Sequence, residues 1–321
     1  MVAKKICDST PLKTSLILYI DRFKAGSPTN ESIFWVRKKP KEIAESFNAE
    51  FQACVSNGSV KRLLKELGYG YRKPSKQLAT GSYQNRNLQF EIITTLILAM
   101  SIQSPVISMD CKKKERIGNL YRDGKCYSQA PIKVYDHDYD YLSEGKVIPH
   151  GIYDIQANIG YISVGNSTES ADFVTDNLLW WWTNHGIHLY PDAKNILLLC
   201  DAGGANSYRH HIFKDRMLKL TKEIGITFIV AHYPPYSSKW NPIEHRLFCH
   251  VHQAMSGYIF TDYNIVKERI EATTTKTGLT IIVRLNLIEY QKGIKVDKSV
   301  SDDTRIQRHH KIPDLNYRIN P

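Results

Sequence analysis

Short apolar runs in the middle of the chain predict β-strands. Continuous runs at 104–110, 194–201 and 226–235 have the length of buried strands, and the run at 194–201 is typical of a central parallel strand. Two further strands are predicted at 150–155 and 160–165, on either side of a short polar turn. These strands predict one sheet in the central part of the chain.

Helical periodicity occupies the stretches around these strands. Helices are predicted at 90–101, 169–186, 208–225 and 242–256, and Gly186 is expected to close the second of them. Strands come first along the chain, and strands alternate with helices afterwards. This order predicts an α/β domain of RNase H type, in which helices flank a mixed sheet.

The N-terminal region has short helices separated by polar breaks. We predict a helix at 12–23, a loop at 25–32, and two helices at 39–51 and 59–69. The last two helices are joined by a tight turn, which is the pattern of a helix-turn-helix.

The second helix of this pair carries the basic residues expected to contact DNA. Ser59 is predicted to cap it and Gly68 to end it, with Lys61, Arg62 and Lys65 along its surface. An ordinary helical hairpin with a solvated basic face is the alternative interpretation. The pattern alone does not separate the two.

We predict three parts in the chain. Residues 1–89 form the helix-turn-helix region with a basic linker at 70–89, residues 90–260 form the RNase H-like catalytic domain, and residues 261–321 form a small C-terminal extension. Within the extension we predict a helix at 262–276, a strand pair at 279–286 and 293–296, and a polar end. The Asp-, Gly- and Tyr-rich stretch at 122–149 is expected to be an irregular insertion.

Positive charge is concentrated near the N terminus. The formal net charge is +11, and residues 1–89 contain 16 Lys and Arg against 7 Asp and Glu. A basic segment attached to a nearly neutral body predicts a polyanion-binding part beside a separate working part. A solubilising charged surface is the alternative.

The cysteines and the apolar runs limit the setting of the protein. The six cysteines include no CxxC pair, which favours reduced thiols, a cytoplasmic location and no zinc site. No apolar run approaches the roughly 20 residues that cross a bilayer, and we expect no membrane partner and no signal peptide.

Three acidic residues have the placement expected of a metal site. Asp110 and Asp201 each end a predicted strand, and Glu244 lies in the first turn of a predicted helix. Phosphoryl transfer needs positioning and neutralisation of developing charge, which two divalent ions held by carboxylates supply. The wide sequence separation of the three makes spacing alone a weak indication.

Each of these acids also has a structural interpretation. Asp201 could begin a turn, and Asp110 could pair with the lysines at 112–114. Glu244 could belong to a capping box with Asn241 as N-cap. We favour instead an Asn241 side chain that faces the metal site and donates to a ligand carboxylate or to the substrate phosphate.

The surroundings of the predicted site are basic. Four lysines are expected to form a phosphate track, although a solvated surface run is an equal alternative for any one of them: Lys112, Lys113, Lys114 and Lys239. His232 and His245 are interpreted as a packed or a surface histidine rather than as ligands.

Several segments together resemble bacterial insertion-sequence transposases of the ISAzo family. The matching stretches include SVKRLLKELGY, SMDCKKKERIGN, DAGGANSYR, HYPPYSSKWNPIEHRLF and PDLNYRINP, in family order from about residue 33 to the end. The broader mariner-like transposases have a similar asparagine–proline–isoleucine–glutamate signature. The resemblance implies a DDE catalytic domain of RNase H-like fold, with the acidic triad on Asp110, Asp201 and Glu244.

The resemblance also implies the activity. It predicts cleavage at the ends of an insertion sequence and joining to target DNA, with two Mg²⁺ or Mn²⁺ ions, by a homo-oligomer assembled on DNA in the bacterial cytoplasm. The alternatives are an RNase H-fold nuclease without strand transfer and a DNA-binding protein derived from an immobile element. Family members carry a longer N-terminal region, which predicts a truncated copy or a misassigned start.

Overall fold

The chain divides into two compact units, Met1–Gln77 and Leu78–Pro321. The computed structural model describes residues 10–27, 30–72 and 83–321. Half of the predicted linker at 70–89, residues 73–82, therefore lies outside the described residues, and its last four residues begin a helix.

The N-terminal unit contains three helices and a β-hairpin. Its elements are α1 (Thr10–Asp21), β1 (Lys24–Ser27), β2 (Asn30–Val36), α2 (Pro40–Phe51) and α3 (Asn57–Glu66). The three predicted helices are confirmed. The predicted loop at 25–32 is wrong, because β1 and β2 pair antiparallel there. The Gly, Ser, Pro and Asn residues of this stretch indicated a loop, but Gly26, Ser27 and Asn30 lie in the paired strands of the hairpin.

A single side chain shapes the connection between α2 and α3. The Asn48 amide donates to the Val55 carbonyl at 2.9 Å, and the Val55 N–H donates back to its Oδ1 at 2.7 Å. Ser56 caps α3 by accepting from Ser59 N–H, so the prediction that Ser59 is the cap was wrong by one turn. The apolar faces of the three helices meet in one core that includes Phe47 and Leu63.

The C-terminal unit is built on a large mixed sheet. Its strands are β3 (Val106–Cys111), β4 (Glu115–Ile117), β5 (Gly145–Asp154), β6 (Ile159–Gly165), β7 (Asn195–Cys200), β8 (Thr227–His232), β9 (Thr280–Asn286), β10 (Ile306–Arg308) and β11 (Asn316–Ile319). Across the described residues the order is β10-β11-β8-β7-β3-β5-β6-β9, with β4 paired to β5.

The middle five strands have the RNase H arrangement. β3, β5 and β6 form an antiparallel meander, and β7 and β8 then add in parallel on the other side of β3. Helices connect β6 to β7 and β7 to β8. The predicted fold class is confirmed, and β3 lies between the antiparallel and the parallel halves.

Helices cover both faces of this sheet. They are α4 (Arg86–Ala99), α5 (Ala171–Trp181), α6 (Ile187–Leu189), α7 (His211–Ile224), α8 (Cys249–Met255) and α9 (Tyr263–Glu271). α5 and α7 pack on one face around Met109 and Trp181, whereas α8 and α9 pack on the other face of the meander around Leu247 and Phe260. α4 covers the parallel strands on that second side, around Ile93 and Leu199.

Gly186 does not close the helix that begins at Ala171. A π-helical turn, Trp182–Gly186, carries the helix on into α6, and Gly186 itself has right-handed helical dihedrals. A Cβ on Gly186 would lie 2.6 Å from Cε3 of Trp182. This glycine therefore makes room for an indole ring instead of ending the helix.

The C-terminal segment 261–321 is part of the large sheet. β9 pairs in parallel with β6 at one edge, and the predicted strand at 293–296 is absent from the described residues. The end expected to be only polar contains β10 and β11, and β11 pairs with β8. The short alternation that buries Asn316, Tyr317 and Ile319 was too brief to predict a strand.

The stretch predicted as an irregular insertion, 122–149, includes the start of β5 at Gly145. Before that strand it contains one short 3₁₀ turn, Asp140–Leu142. Within the described ranges, no helix has the length and apolar character needed to cross a bilayer.

Replacing Gly151 on β5 by alanine is expected to destabilise the C-terminal unit. The added Cβ would lie 2.7 Å from Cε1 of Phe248 and 2.8 Å from Cδ1 of Ile243, where a packed helix cannot move cheaply. Such overpacking costs about 1–3 kcal/mol. Urea unfolding of Gly151→Ala measures the effect.

Gly58→Ala serves as the matched control. Its Cβ would meet only Ser56 Oγ at 3.7 Å, at a helical position. We expect this variant to unfold like the wild type or to gain about 0.5 kcal/mol. Equal stability of Gly151→Ala and the wild type would contradict the close packing described above.

Candidate active site

The two predicted strand-end aspartates are neighbours in the sheet. β3 and β7 are parallel, and Met109 pairs with Cys200. Asp110 and Asp201 each follow one of these paired residues, so both carboxylates emerge at the same edge of the sheet. Asp201 also begins a turn, which was the structural interpretation of this residue, since its Oδ1 accepts from Gly203 N–H at 3.2 Å.

Glu244 approaches the same edge from a helix. The helix begins at residue 242, passes through the π-helical turn Glu244–Phe248 and continues into α8. Ile243, Leu247 and Val251 are fully buried against the sheet, which leaves Glu244 half-buried at the margin of this apolar stripe. π-helical turns inside longer helices are frequent at functional sites.

The acids perturb one another strongly. Burial raises the pKa of Asp110 to about 8, and the negative charges of Asp201, Glu244 and Glu169 add to this, while a hydrogen bond from Cys111 N–H opposes it. The pKa values of Asp201 and Glu244 are also raised, in each case first by burial. Ionising all of these groups together is therefore unfavourable unless a cation lies among them.

The chemistry of these donors fits a hard divalent cation. Such ions prefer carboxylate oxygens, and a cation would remove the repulsion that raises the pKa values. Among the residues that the structure describes, no three acidic, histidine or cysteine side chains form a finished metal cage. Burial and then repulsion from neighbouring acids raise the pKa values of Asp110 and Glu244, and this repulsion is what a bound cation would remove.

Asn241 does not face the carboxylates. Its Nδ2 donates to the Met109 carbonyl at 3.3 Å and its Oδ1 accepts from the Ser108 hydroxyl at 2.5 Å, with the side chain fully buried. The same hydroxyl accepts from Ile243 N–H at 3.1 Å. Ser108 thus caps the helix that carries Glu244, and both predicted roles of the Asn241 side chain, as cap and as donor to a ligand, are wrong.

The four predicted basic residues have different environments. Lys112 is buried and bonded to Glu115 at 2.8 Å, so its ammonium is not presented to solvent. Lys114 pairs with Glu169 at 3.2 Å, and Lys239 lies over the ring of Trp240. Lys113 and Lys239 are exposed. Among the described residues, none of the lysines at 112–114 makes an ion pair with Asp110. The ion-pair interpretation of Asp110 is therefore wrong.

Sequence reasoning missed Glu169, a fourth carboxylate beside the predicted triad. It precedes α5, and its Oε1 accepts from Ala205 N–H at 3.4 Å in the loop that follows Asp201. Together with its bond to Lys114, this contact links the segments that follow β3 and β7. Nothing in its local sequence separated Glu169 from an ordinary acidic residue ahead of a helix.

His232 is a packed histidine, as predicted, but its contacts reach the site. Its Nδ1 lies 2.9 Å from the Asp201 carbonyl oxygen, and its Nε2 lies 3.0 Å from the Tyr317 hydroxyl. Burial lowers the pKa of His232 to about 4 and keeps the ring neutral. Its position at the end of β8, next to the end of β7, was the available indication of this contact.

The sequence of the chain matches a family model over residues 16–321. That family is described as the Rhodopirellula transposase DDE domain. The chain belongs to this transposase family. The match includes nearly the whole chain, the N-terminal helices among it, and the resemblance stated from the motifs is confirmed.

Solved structures of Mos1 transposase show a weaker likeness. A pre-cleavage Mos1 transpososome matches with a TM-score of 0.47 and 16% identity over 80% of this chain and 69% of that chain. A mariner Mos1 paired-end complex with Mg matches with a TM-score of 0.46 and 16% identity over 83% and 73%. Among curated proteins, a search found no match.

Asn241→Asp is expected to destabilise this transposase-family chain. One oxygen of the new carboxylate would still accept from the Ser108 hydroxyl, but the other would face the Met109 carbonyl without a donor, in a fully buried position. An unsatisfied buried charge of this kind costs about 3 kcal/mol or more. Thermal and urea unfolding at neutral pH measure the loss.

Asn264→Asp is the matched control. Asn264 is exposed in the first turn of α9, where an added negative charge is favourable. This variant should unfold within about 0.5 kcal/mol of the wild type. A wild-type melting temperature for Asn241→Asp would mean that the Asn241 side chain is not buried as described.

Proposed function

We propose that the protein is a DNA transposase that cleaves phosphodiester bonds at element ends and joins them to target DNA. Asp110, Asp201 and Glu244 act as its catalytic carboxylates and hold two Mg²⁺ or Mn²⁺ ions. The observation that supports this assignment best is the convergence of the three acids, from two adjacent strand ends and one helix, with raised pKa values. Transposase function itself follows from family membership.

Two of the three carboxylates, those of Asp110 and Asp201, are each oriented by a neutral backbone donor. Cys111 N–H donates to Asp110 Oδ1 at 2.7 Å, and Gly203 N–H donates to Asp201 Oδ1 at 3.2 Å. Divalent ions at such a site stabilise charge on the attacking and leaving oxygens. Neutral donors hold the acids in place and leave their negative charge available for cations.

A basic cleft beside the acids suits the DNA strand. It has a volume of about 430 Å³ and shares Glu169 with the carboxylate site. Its basic lining residues are Lys114, Lys146, His210 and Lys292. The N-terminal end of α5 also borders the cleft, and its backbone N–H groups favour anions. We assign this cleft to the backbone of the strand that approaches the acids.

The N-terminal unit is assigned to recognition of element ends. α2 and α3 form a helical pair, and the second helix exposes Lys61, Arg62 and Lys65. Such side chains contact phosphates and place a helix on the duplex. Cleavage at two ends of one element further favours a homo-oligomer on DNA, working in the bacterial cytoplasm.

Neutral replacement of any one of the three acids should abolish cleavage without unfolding the protein. Asp110→Asn, Asp201→Asn and Glu244→Gln each remove a negative ligand, and loss of such stabilisation costs several orders of magnitude in rate, about 4 kcal/mol or more. Because ionisation of these acids is unfavourable in the folded chain, their melting temperatures without metal should equal or exceed that of the wild type. A labelled end-containing duplex with Mg²⁺ reports nicking and joined products.

Asp192→Asn, at an exposed loop position, is the control for this series. It should nick and join like the wild type. Wild-type nicking by any of the three variants would remove that residue from the site. Nicked products without joined products in the wild type would favour a nuclease over a transposase.

Replacing Lys61, Arg62 and Lys65 by alanine should weaken DNA binding and flatten its salt dependence. Loss of three phosphate contacts reduces the slope of log K against log salt by about 2–3. Binding to an end-containing duplex over a range of salt concentrations measures both quantities. A triple alanine variant at the exposed Lys194, Lys222 and Lys276 controls for net charge. Equal slopes for the two triple variants would refute the specific role of α3.

A further inference from the structure

A chain of buried hydrogen bonds ends at the backbone of Asp201. The Asp201 carbonyl oxygen lies 2.9 Å from Nδ1 of His232, whose Nε2 lies 3.0 Å from the hydroxyl of Tyr317 on β11. His232 and Tyr317 are almost completely buried. No carboxylate, lysine or arginine side chain takes part in these two hydrogen bonds.

The geometry determines which ring nitrogen carries the proton. A carbonyl oxygen only accepts hydrogen bonds, so Nδ1 of His232 must be the donor to Asp201. The neutral ring then has a lone pair on Nε2, and the Tyr317 hydroxyl donates to it. The Asp201 carbonyl thus selects the Nδ1–H tautomer, and the Tyr317 hydroxyl completes it by donating to Nε2.

The backbone around His232 is fixed by further contacts. His232 N–H donates to the Leu315 carbonyl at 2.8 Å, and Gln89 Nε2 donates to the His232 carbonyl at 2.8 Å. Gln89 and Asn316 also exchange two hydrogen bonds, at 2.8 and 2.6 Å. The ring therefore projects from a rigid junction of β8, β11 and α4.

Asp201 needs such support because it lies just beyond the strand. The β7–β8 pairing ends at Cys200 and His232, and Tyr233 N–H closes the ladder by donating to the Cys200 carbonyl. The next carbonyl, that of Asp201, has no strand partner and is held by the imidazole. Its peptide plane sets the backbone direction at Asp201, and with it the direction of the carboxylate.

We propose that His232 is a positioning residue, anchored at Nε2 by Tyr317, that holds the Asp201 carbonyl through Nδ1–H and so fixes the Asp201 carboxylate for metal binding. The proposal rests on the proposed function for the role of Asp201 as a ligand. Through Tyr317, strand β11 then helps to support the site, although Tyr317 lies 116 residues after Asp201 in the sequence. Outer partners of metal ligands typically change metal affinity by about 10–100-fold.

Two substitutions of His232 separate positioning from packing. In His232→Asn the amide nitrogen can occupy the position of Nδ1 and donate to Asp201. In His232→Leu the volume is kept, but the donor is lost. Direct Mn²⁺ titration of the full chain, followed by electron paramagnetic resonance below the melting temperature, should show affinity loss of about tenfold in the leucine variant. The asparagine variant should bind Mn²⁺ like the wild type.

Tyr317→Phe tests the anchoring of the imidazole ring by Tyr317. It should weaken Mn²⁺ binding in the wild-type background and have no further effect in the His232→Leu background, because Tyr317 acts through the ring. Equal Mn²⁺ affinity of His232→Leu and the wild type would overturn the proposal. Loss of affinity in His232→Asn equal to that in His232→Leu would also overturn it, since packing alone would then account for both.

A second measurement does not depend on metal. Nitrogen-15 NMR of the full chain with labelled histidine identifies the His232 signal as the one missing from His232→Asn. We expect the neutral Nδ1–H tautomer at neutral pH in the wild type, and the same tautomer with a shifted Nε2 signal in Tyr317→Phe, because Nε2 then lacks the hydrogen bond from the hydroxyl. An Nε2–H or a doubly protonated ring in the wild type would overturn the proposal.

Asp201→Asn distinguishes failure of this proposal from failure of the proposed function. If it binds Mn²⁺ as tightly as the wild type, Asp201 is not a ligand and the proposed function is wrong for that residue. The positioning of a metal ligand by His232 is then overturned as well, whereas the NMR result still establishes or removes the hydrogen bond. If His232→Leu binds Mn²⁺ like the wild type while Asp201→Asn does not, Asp201 remains a metal ligand, and only the positioning role of His232 is overturned.

Discussion

Repulsion among half-buried carboxylates is the constraint that the rest of the C-terminal unit must withstand. Asp110, Asp201 and Glu244 meet at one sheet edge with raised pKa values, and Glu169 lies beside them. Lys114 pairs with Glu169, but the pKa values of the three acids remain raised despite the nearby lysines. The stabilising free energy comes from the apolar layers on both faces of the sheet, where Met109 and Leu199 are fully buried one or two residues from the acids.

Neutral hydrogen bonds do the positioning in this site. Ser108 is the clearest case, because its hydroxyl donates to Asn241 and accepts from Ile243 N–H, which joins β3 to the start of the helix that carries Glu244. Asp110 follows Ser108 by two residues on the same strand. Strand β3 therefore carries Asp110 and also holds the start of the helix that carries Glu244.

Sequence predicted the elements but not the contacts between them. Continuous apolar runs identified three of the five middle strands and a short polar turn the other two, and the order of strands and helices was enough for the fold class. Short strands such as β1 and β11 were missed, because four residues are too few to stand out from a loop. The placement of Glu244 beside two strand-end aspartates followed from motif order, and the raised pKa values are in accord with it.

Contacts of single polar side chains could not be predicted. Asn241 next to Glu244 suggested a group that faces the acids, yet the amide turns towards Ser108 and Met109. The orientation of this amide depends on partners more than a hundred residues away in sequence, and these cannot be inferred from the local sequence pattern. The same reason concealed Glu169 and the bond between His232 and Asp201.

The position of β11 in the sheet has a consequence for biosynthesis. Ribosomes make the chain from its N terminus, so β8 emerges long before β11, which pairs with it directly. Until residues 316–319 have been made, one side of β8 remains an open edge, and His232 lacks the hydroxyl of Tyr317. An incomplete nascent chain thus has its acidic residues but not their full support, and its open strand edge is a site for aggregation. Completion of the sheet therefore waits for the synthesis of residues 316–319.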